Sequence, residues 1–259
     1  MISKLVVIPP RWTQVAWTNR GKRAARAPWA YLLALLSLTG CQRSVEVRYR
    51  VTVQVTDHGV VRSGSSVWSF TLRQGMLGSY DARLKGDAVI VDLGARGSMF
   101  ALLAGRSREG LPTSFDDMGL LPERLFGDIG RGRAGLLPHN RNRIDDLESI
   151  RGQVGRSAVL NCSAPTSDAG ACPFLVQFAD LDDPTSVRPV DPANLAIEFG
   201  DGVSLRSISV EITDQPVTRN SARDMPRYAG RPEFGKWYAS LPLDDPRRIG
   251  PENFSLGAK

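Results

Sequence analysis

The sequence predicts an α+β protein with a predominantly antiparallel β-sheet and a few short helices. Alternation of apolar and polar residues is the main indication, because a period of two places one face of a strand in a core and the other in water. Two stretches alternate clearly, 45–56 and 203–213. The helical signals are short: Ser114, and Asp191 followed by a proline, are each typical of a capped first turn.

The first alternating stretch predicts a long strand. Valines and one tyrosine take every second position from Val45 to Val55, and polar residues lie between them. Asp57-His-Gly59 indicates a turn, and a second alternating run follows it. The apolar face of that second run carries Trp68, Phe70 and Leu72. The two runs therefore predict an antiparallel hairpin.

The hairpin is expected to begin a β-meander over 45–93. We expect a bulge or bend around Ser63-Gly64-Ser65, where small residues interrupt the second strand. Residues 82–85 and 88–93 predict two further strands on either side of the turn Gly86-Asp87.

The middle of the chain, 94–156, is rich in glycine and arginine. Ser98 to Ala104 is apolar and fits one helical or strand segment. Ser114 predicts the start of a helix that 120–126 can continue.

Four arginines and no acidic residue lie between Arg131 and Arg143. Such a segment can bind an anionic surface, for example lipid headgroups or lipopolysaccharide. It can equally be a solvated loop whose charge is balanced by the neighbouring Asp145, Asp146 and Glu148, and the charge pattern favours this second interpretation.

The block 173–213 is predicted to be strand, short helix, strand. Residues 174–178 form the first strand, Asp191-Pro192 begins the helix, Gly200 ends it, and 203–213 return as a strand. Beyond it, prolines and charges dominate 215–259 and predict a partly extended tail. Trp237 and Tyr238 are the residues expected to hold that tail to the body.

A targeting signal is expected before the first strand. Arg20, Lys22, Arg23 and Arg26 precede an apolar run of eleven residues, Trp29 to Thr39, which is too short to span a bilayer. The following Leu38-Thr39-Gly40-Cys41 resembles the lipobox of bacterial lipoproteins. This resemblance implies a signal peptide over 1–40, removed before Cys41. It also implies a diacylglyceryl group on the Cys41 sulfur and an acyl chain such as palmitate on the new amino terminus.

Removal of the signal peptide would change the net charge of the chain, and with it the partners that the charge predicts. The formal net charge is +6, but six of the 33 basic residues and none of the 27 acidic residues lie in 1–40. The mature chain from Cys41 to Lys259 is then close to neutral, and a general affinity for nucleic acid loses its support. We therefore expect one domain over 41–214 followed by the tail.

The other two cysteines, Cys162 and Cys172, are predicted to form a disulfide. Turn-forming residues separate them, so the two sulfurs can meet, and an exported chain folds in an oxidising compartment. The alternative is a metal or redox pair, but the spacing is not CxxC and no histidine lies nearby.

The chain contains no HExxH, GxSxG, Walker-loop or SxxK motif. His58, in the predicted hairpin turn, and His139, in the arginine-rich segment, are both interpreted as surface residues. The acidic residues Asp180, Asp182, Asp183 and Asp191 favour turn and cap formation over calcium binding, since no glycine and distal glutamate follow at the required spacing. We assign no catalytic residue, no metal and no cofactor.

Parts of the second block resemble uncharacterised proteobacterial proteins of unknown function. The similarity lies in Pro-Phe-Leu-Val-Gln-Phe-Ala-Asp at 173–180, Asp-Asp-Pro-Thr-Ser-Val at 182–187 and Val-Asp-Pro-Ala-Asn-Leu-Ala at 190–196. It implies no known activity.

The sequence therefore leads to the expectation of a lipid-anchored protein of the cell envelope that faces the periplasm. Gln42 is not the aspartate of an inner-membrane retention signal, which tilts the location towards the outer membrane. The expected partners are the membrane and another envelope protein, in a non-enzymatic binding or structural role. The alternatives are a periplasm-facing hydrolase with a dispersed carboxylate or histidine site and, if the signal is not used, a cytoplasmic basic protein.

Overall fold

The computed structural model describes residues 43–75, 79–127, 143–162, 171–220, 224–228 and 232–257. Its strands are β1 (Ser44–Asp57), β2 (Val60–Gln74), β3 (Tyr80–Asp87), β4 (Val89–Asp92), β5 (Ser98–Gly105), β6 (Ser157–Leu160), β7 (Pro173–Phe178), β8 (Val187–Pro189), β9 (Val203–Ile212) and β10 (Ser255–Leu256). Its α-helices are α1 (Phe115–Gly119), α2 (Leu121–Phe126), α3 (Arg143–Arg151), α4 (Ala196–Phe199) and α5 (Pro232–Ser240).

The strands form two sheets in which every described pairing is antiparallel. The larger sheet has the order β10-β3-β2-β1-β9-β6, and the smaller one has the order β4-β5-β7-β8. The predicted fold class, α+β with a predominantly antiparallel sheet and a few short helices, is confirmed.

The hairpin of β1 and β2 is regular along its whole length. Its register runs from Ser44 opposite Arg73 to Asp57 opposite Val60 without a shift, so the expected bulge around Ser63-Gly64-Ser65 is wrong. The irregularity lies on the other side of β1, between Gln54 and Val55 in the pairing with β9. Gly64 serves a different purpose, because a Cβ there would overlap the carbonyl oxygen of Ile90 where β4 crosses β2.

The expected meander over 45–93 holds for its first three strands only. β4 belongs to the smaller sheet, so the chain leaves the larger sheet at Asp87. Gly86 makes this exit possible, since its φ is +146° and a Cβ would collide with the indole of Trp68.

The smaller sheet is buried on both faces. Along β5, Met99, Ala101 and Leu103 join the core shared with the larger sheet, and Phe100 and Leu102 join a second core on the opposite side. A strand buried on both faces has no alternation, which explains why Ser98–Ala104 fitted helix and strand equally well.

The helices begin as expected at one place and not at another. Ser114 caps α1 by accepting a hydrogen bond from the Asp116 amide, 3.2 Å away, as predicted. The expected helix start at Asp191 is wrong: the Asp191 carboxylate accepts from the Ala193 amide in a turn, and α4 begins at Ala196. Gly200, with φ +83°, ends α4 as predicted.

The segment 215–259 is not a separate tail, because 42–259 form one compact unit. Ile249 and Phe254 are buried in the second core, and β10 pairs with β3. Trp237 packs against the same core, as predicted for a residue that holds this segment to the body. The boundary placed at 214 therefore does not divide a domain from a tail.

Tyr49 gives a testable consequence of burial at high pH. Its hydroxyl is fully buried and donates a 2.6 Å hydrogen bond to the carbonyl oxygen of Met118, and burial raises the pKa of the phenol well above 10. The folded state therefore keeps Tyr49 neutral while the unfolded chain ionises near pH 10, so the contribution of Tyr49 is present below pH 10 and declines above it.

We expect Tyr49→Phe to lower the free energy of unfolding by about 1–2 kcal/mol at pH 7, because the Met118 carbonyl loses its donor. The difference from the parent should shrink above pH 10. Urea unfolding at several pH values between 7 and 11 measures both quantities. A difference that stays constant over this range would contradict the assignment.

Candidate functional site

The predicted anchor residue, Cys41, lies outside the described residues, as do His139 and most of the arginine-rich segment. The described chain begins at Arg43, which is already held by the fold. The Arg43 carbonyl accepts a 2.9 Å hydrogen bond from the Gln74 amide. The Arg43 guanidinium lies 2.5 Å from the Asp145 carboxylate and 3.4 Å from the Glu148 carboxylate, and both acids are on α3. Two of the three acids expected to balance the arginine-rich segment, Asp145 and Glu148, thus contact an arginine outside it.

We call the part of the molecule around Ser44 the anchor end. It contains the start of β1, the end of β2 and the start of β3, because Ser44 is opposite Arg73 and Gln74 is opposite Tyr80. The helix α3 packs there through Ile144, Leu147 and Ile150.

The opposite end of β1 carries His58, one of the two histidines. Its Nδ1 lies 3.0 Å from an Asp57 carboxylate oxygen and 3.3 Å from Nη2 of Arg96. The hydrogen bond from His58 lowers the pKa of the Asp57 carboxyl. The Arg96 guanidinium also donates to the Phe199 carbonyl, and the His58 amide donates to the Gly202 carbonyl.

This cluster joins three turns, around Asp57, Arg96 and Gly202. The carboxylate of Asp57 needs a proton on Nδ1 of His58, whereas the guanidinium of Arg96 needs a lone pair there, so one tautomer cannot satisfy both. The ring also lies against Gly202, where an added Cβ would be 2.8 Å from its Cε1. No sequence motif marks Arg96, because its role depends on contacts with His58, 38 residues away, and Phe199, 103 residues away.

The strand β6 forms one edge of the larger sheet. Within the described part of the chain it pairs with β9 on one side and with no strand on the other. Val159 in this strand is 69% exposed, and Val154 just before it is 57% exposed. An edge strand with exposed apolar side chains offers unpaired backbone groups to another chain.

The other three edges of the described sheets are protected. β10 has two residues, and β8 contains Arg188 and Pro189, which disfavour further pairing. β4 has two fully buried valines and lies against Gly64 of β2. β6 has no proline and no charged residue, so it is the edge most open to an additional strand.

The predicted disulfide is present. Cys162 and Cys172 are bonded, with their α-carbons 5.6 Å apart, and both are nearly buried beside the main core. The bond holds the end of β6 next to the start of β7.

We expect reduction of this bond to lower the free energy of unfolding by about 3 kcal/mol, because the unfolded chain regains the freedom of the closed loop. The double variant Cys162→Ser/Cys172→Ser should behave like the reduced parent. Urea unfolding with and without reductant measures the effect, and a loss below about 1 kcal/mol would contradict it.

Three of the four aspartates take the turn and cap roles that the sequence favoured, and the fourth, Asp182, lies 2.9 Å from the Arg227 guanidinium. Asp180 accepts from the Asp182 amide at 2.8 Å, and Asp183 accepts from the Thr185 amide at 2.9 Å. Asp191 forms the turn described above and lies 3.5 Å from Arg106. No group of three or more potential ligand side chains in the described ranges is placed to hold a metal ion.

The chain matches no family model, no curated protein and no solved structure. Among the helices of the described ranges, none combines the length and the apolar character needed to cross a membrane.

Proposed function

We propose that this protein is an envelope lipoprotein, anchored through Cys41 and facing the periplasm. In this proposal the body is a non-enzymatic component that binds another envelope protein. The lipobox-like sequence supports the anchor, and the disulfide between Cys162 and Cys172 is the state expected in an oxidising compartment. The outer membrane is the favoured location, because Gln42 is not the aspartate of an inner-membrane retention signal.

The observation that carries the binding role is the unprotected edge of β6. An extended segment of a partner can add to such an edge through backbone hydrogen bonds, and exposed side chains such as Val159 supply apolar contact. Natural proteins usually cover or charge an edge of this kind. The other three edges of the described sheets are protected, so the unprotected edge of β6 favours a role in binding.

The anchor is tested by the intact mass of the protein purified from the membrane fraction, with and without reduction and alkylation. We expect a chain that begins at Cys41, carries acyl mass and exposes two thiols only after reduction. A soluble full-length chain with three free thiols would refute the anchor, and the net charge of +6 would then favour a cytoplasmic, nucleic-acid-binding role.

The binding edge is tested by photocrosslinking in cells. A photoreactive phenylalanine at Ser157, which is exposed in β6, should give one adduct of defined mass. Val159→Lys should reduce that adduct at least fivefold, because a charge in the strand opposes pairing with another chain. Its effect on stability should stay within about 0.5 kcal/mol, since the side chain is exposed.

The matched control is Leu243→Lys, at an apolar residue that is 90% exposed and distant in sequence from β6. This control should leave the adduct unchanged. Equal loss in both variants, or the same adduct from a photoreactive residue at 243, would refute β6 as the binding edge.

A hydrolase with a dispersed site is the second candidate, and the hydrogen-bonded pair Asp57 and His58 is the observation in its favour. It predicts hydrolysis of nitrophenyl esters or of peptidoglycan fragments at a rate that His58→Ala abolishes. Equal rates for the parent and the variant would remove this candidate.

A further inference from the structure

We infer that the anchor end of the body rests on the lipid headgroups of the membrane that holds Cys41, with Tyr80 and Arg73 in contact with them. This inference rests on the proposed lipid attachment. It adds an orientation for the body and a second contact with the membrane.

The connection between the lipid and the fold is short. Cys41 is two residues before Arg43, so covalent geometry keeps their α-carbons within about 7 Å of each other. Arg43 is fixed by the hydrogen bond to the Gln74 amide and by the two carboxylates of α3. Ser44 is already paired with Arg73 in the sheet. A lipid on Cys41 would therefore hold the anchor end within a few ångströms of the headgroup layer.

The side chains at the anchor end suit this position. Tyr80 is 40% exposed, and the guanidinium of Arg143 lies 5.7 Å from the centre of its ring. Arg73 is exposed at the end of β2. Tyrosine and arginine are favoured at membrane interfaces, because each combines an apolar body with a polar tip that binds water or phosphate.

Four acidic residues at the anchor end are paired with arginines. Asp145 and Glu148 contact Arg43, Glu46 lies 2.9 Å from Arg48, and Asp81 lies 3.1 Å from Arg83. These pairs limit the repulsion that free carboxylates would experience from anionic lipids.

The other end of β1 would then stand away from the membrane. β1 has fourteen residues, so Asp57 is about 40 Å from Ser44 along the strand. The exposed Val60 marks this distal end and provides a reference position.

The test uses the mature chain 41–259 with a lipid coupled chemically to Cys41, which is its only free thiol when the disulfide is formed. A clickable phenylalanine analogue carries a fluorophore at residue 81 of the anchor end or at residue 60 of the distal end. The protein is bound to vesicles of phosphatidylethanolamine and phosphatidylglycerol that contain a bilayer-embedded quencher. We expect quenching at residue 81 to be at least three times that at residue 60, and equal quenching would overturn the orientation.

A second variant tests the contact itself. Arg73→Glu/Tyr80→Ser should reduce the quenching ratio at least twofold, whereas Arg62→Glu, at an exposed arginine near the distal end, should leave it unchanged. An unchanged ratio in the double variant would overturn the role of Arg73 and Tyr80. Because the lipid is attached chemically, these outcomes are independent of the mass measurement that tests lipidation in the cell.

Discussion

Replacing Asp87 with alanine is expected to lower the free energy of unfolding by about 4 kcal/mol. The carboxylate is almost completely buried at the point where the chain passes from one sheet to the other. It accepts hydrogen bonds from the backbone amide of Asn220 at 2.5 Å, from the Ser255 hydroxyl at 2.7 Å and from the Arg219 guanidinium at 3.3 Å. Alanine would leave these donors without their acceptor, and the cost of unpaired buried polar groups is large.

The measurement is urea unfolding of the oxidised protein. Asp87→Asn keeps one acceptor oxygen and removes the charge opposite Arg219, so it should lose about half as much stability. Asp244→Ala removes an exposed carboxylate and should change the free energy by less than about 0.5 kcal/mol. A loss below about 1.5 kcal/mol for Asp87→Ala would show that Asp87 does not hold this segment in place.

Replacing Phe100 with alanine should cost a similar amount for a different reason. The ring is fully buried in the second core, with its centre 5.7 Å from that of Phe178 and 5.8 Å from that of Phe254. The substitution would create a cavity between the smaller sheet and the segment that carries Phe254. Such cavities in rigid cores cost about 3–5 kcal/mol.

Phe115 is the matched control for this prediction, because it is 38% exposed at the start of α1. Phe115→Ala should cost less than about 1 kcal/mol in the same urea experiment. If the two variants lost equal stability, Phe100 would not be part of a tightly packed core.

The sequence predicted best those strands that have one face in the core and one in water. In β1 the alternate residues Val45 to Val55 are buried, and in β9 Ile208, Val210 and Ile212 are buried, as the period of two required. β7 is buried at all six positions, so its assignment depended on its short apolar run and on the turn that follows. Short-range capping rules located Ser114 but misplaced the start of α4, because Asp191 can close a turn with the same hydrogen bond.

The packing of 215–259 could not be read from local sequence. Its prolines favour extended backbone, and residues 216–220 are without regular secondary structure. What fixes the segment is the pairing of Arg219 with Asp87, 132 residues away, and the burial of Phe254 against Phe100 and Phe178. Neither contact leaves a periodic pattern in the sequence.

Among the candidate functional features, only those set by local sequence could be predicted. The disulfide followed from two cysteines separated by turn-forming residues, which is local information. The exposed edge of β6 depends on which strand is last in the sheet, and that order is a property of the whole topology. The pairing of Arg96 with Asp57 likewise depends on two turns meeting in space.

The strand order has a consequence for how the protein is made. β1 pairs with its neighbour β2 and also with β9, which lies about 150 residues later, and β3 waits for β10 near residue 255. Long-range pairings of this kind slow folding. The ribosome must therefore synthesise most of the body before β9 becomes available to β1, and almost all of it before β10 becomes available to β3. The larger sheet cannot be completed until synthesis is almost finished, which would suit the proposed export of an unfolded chain.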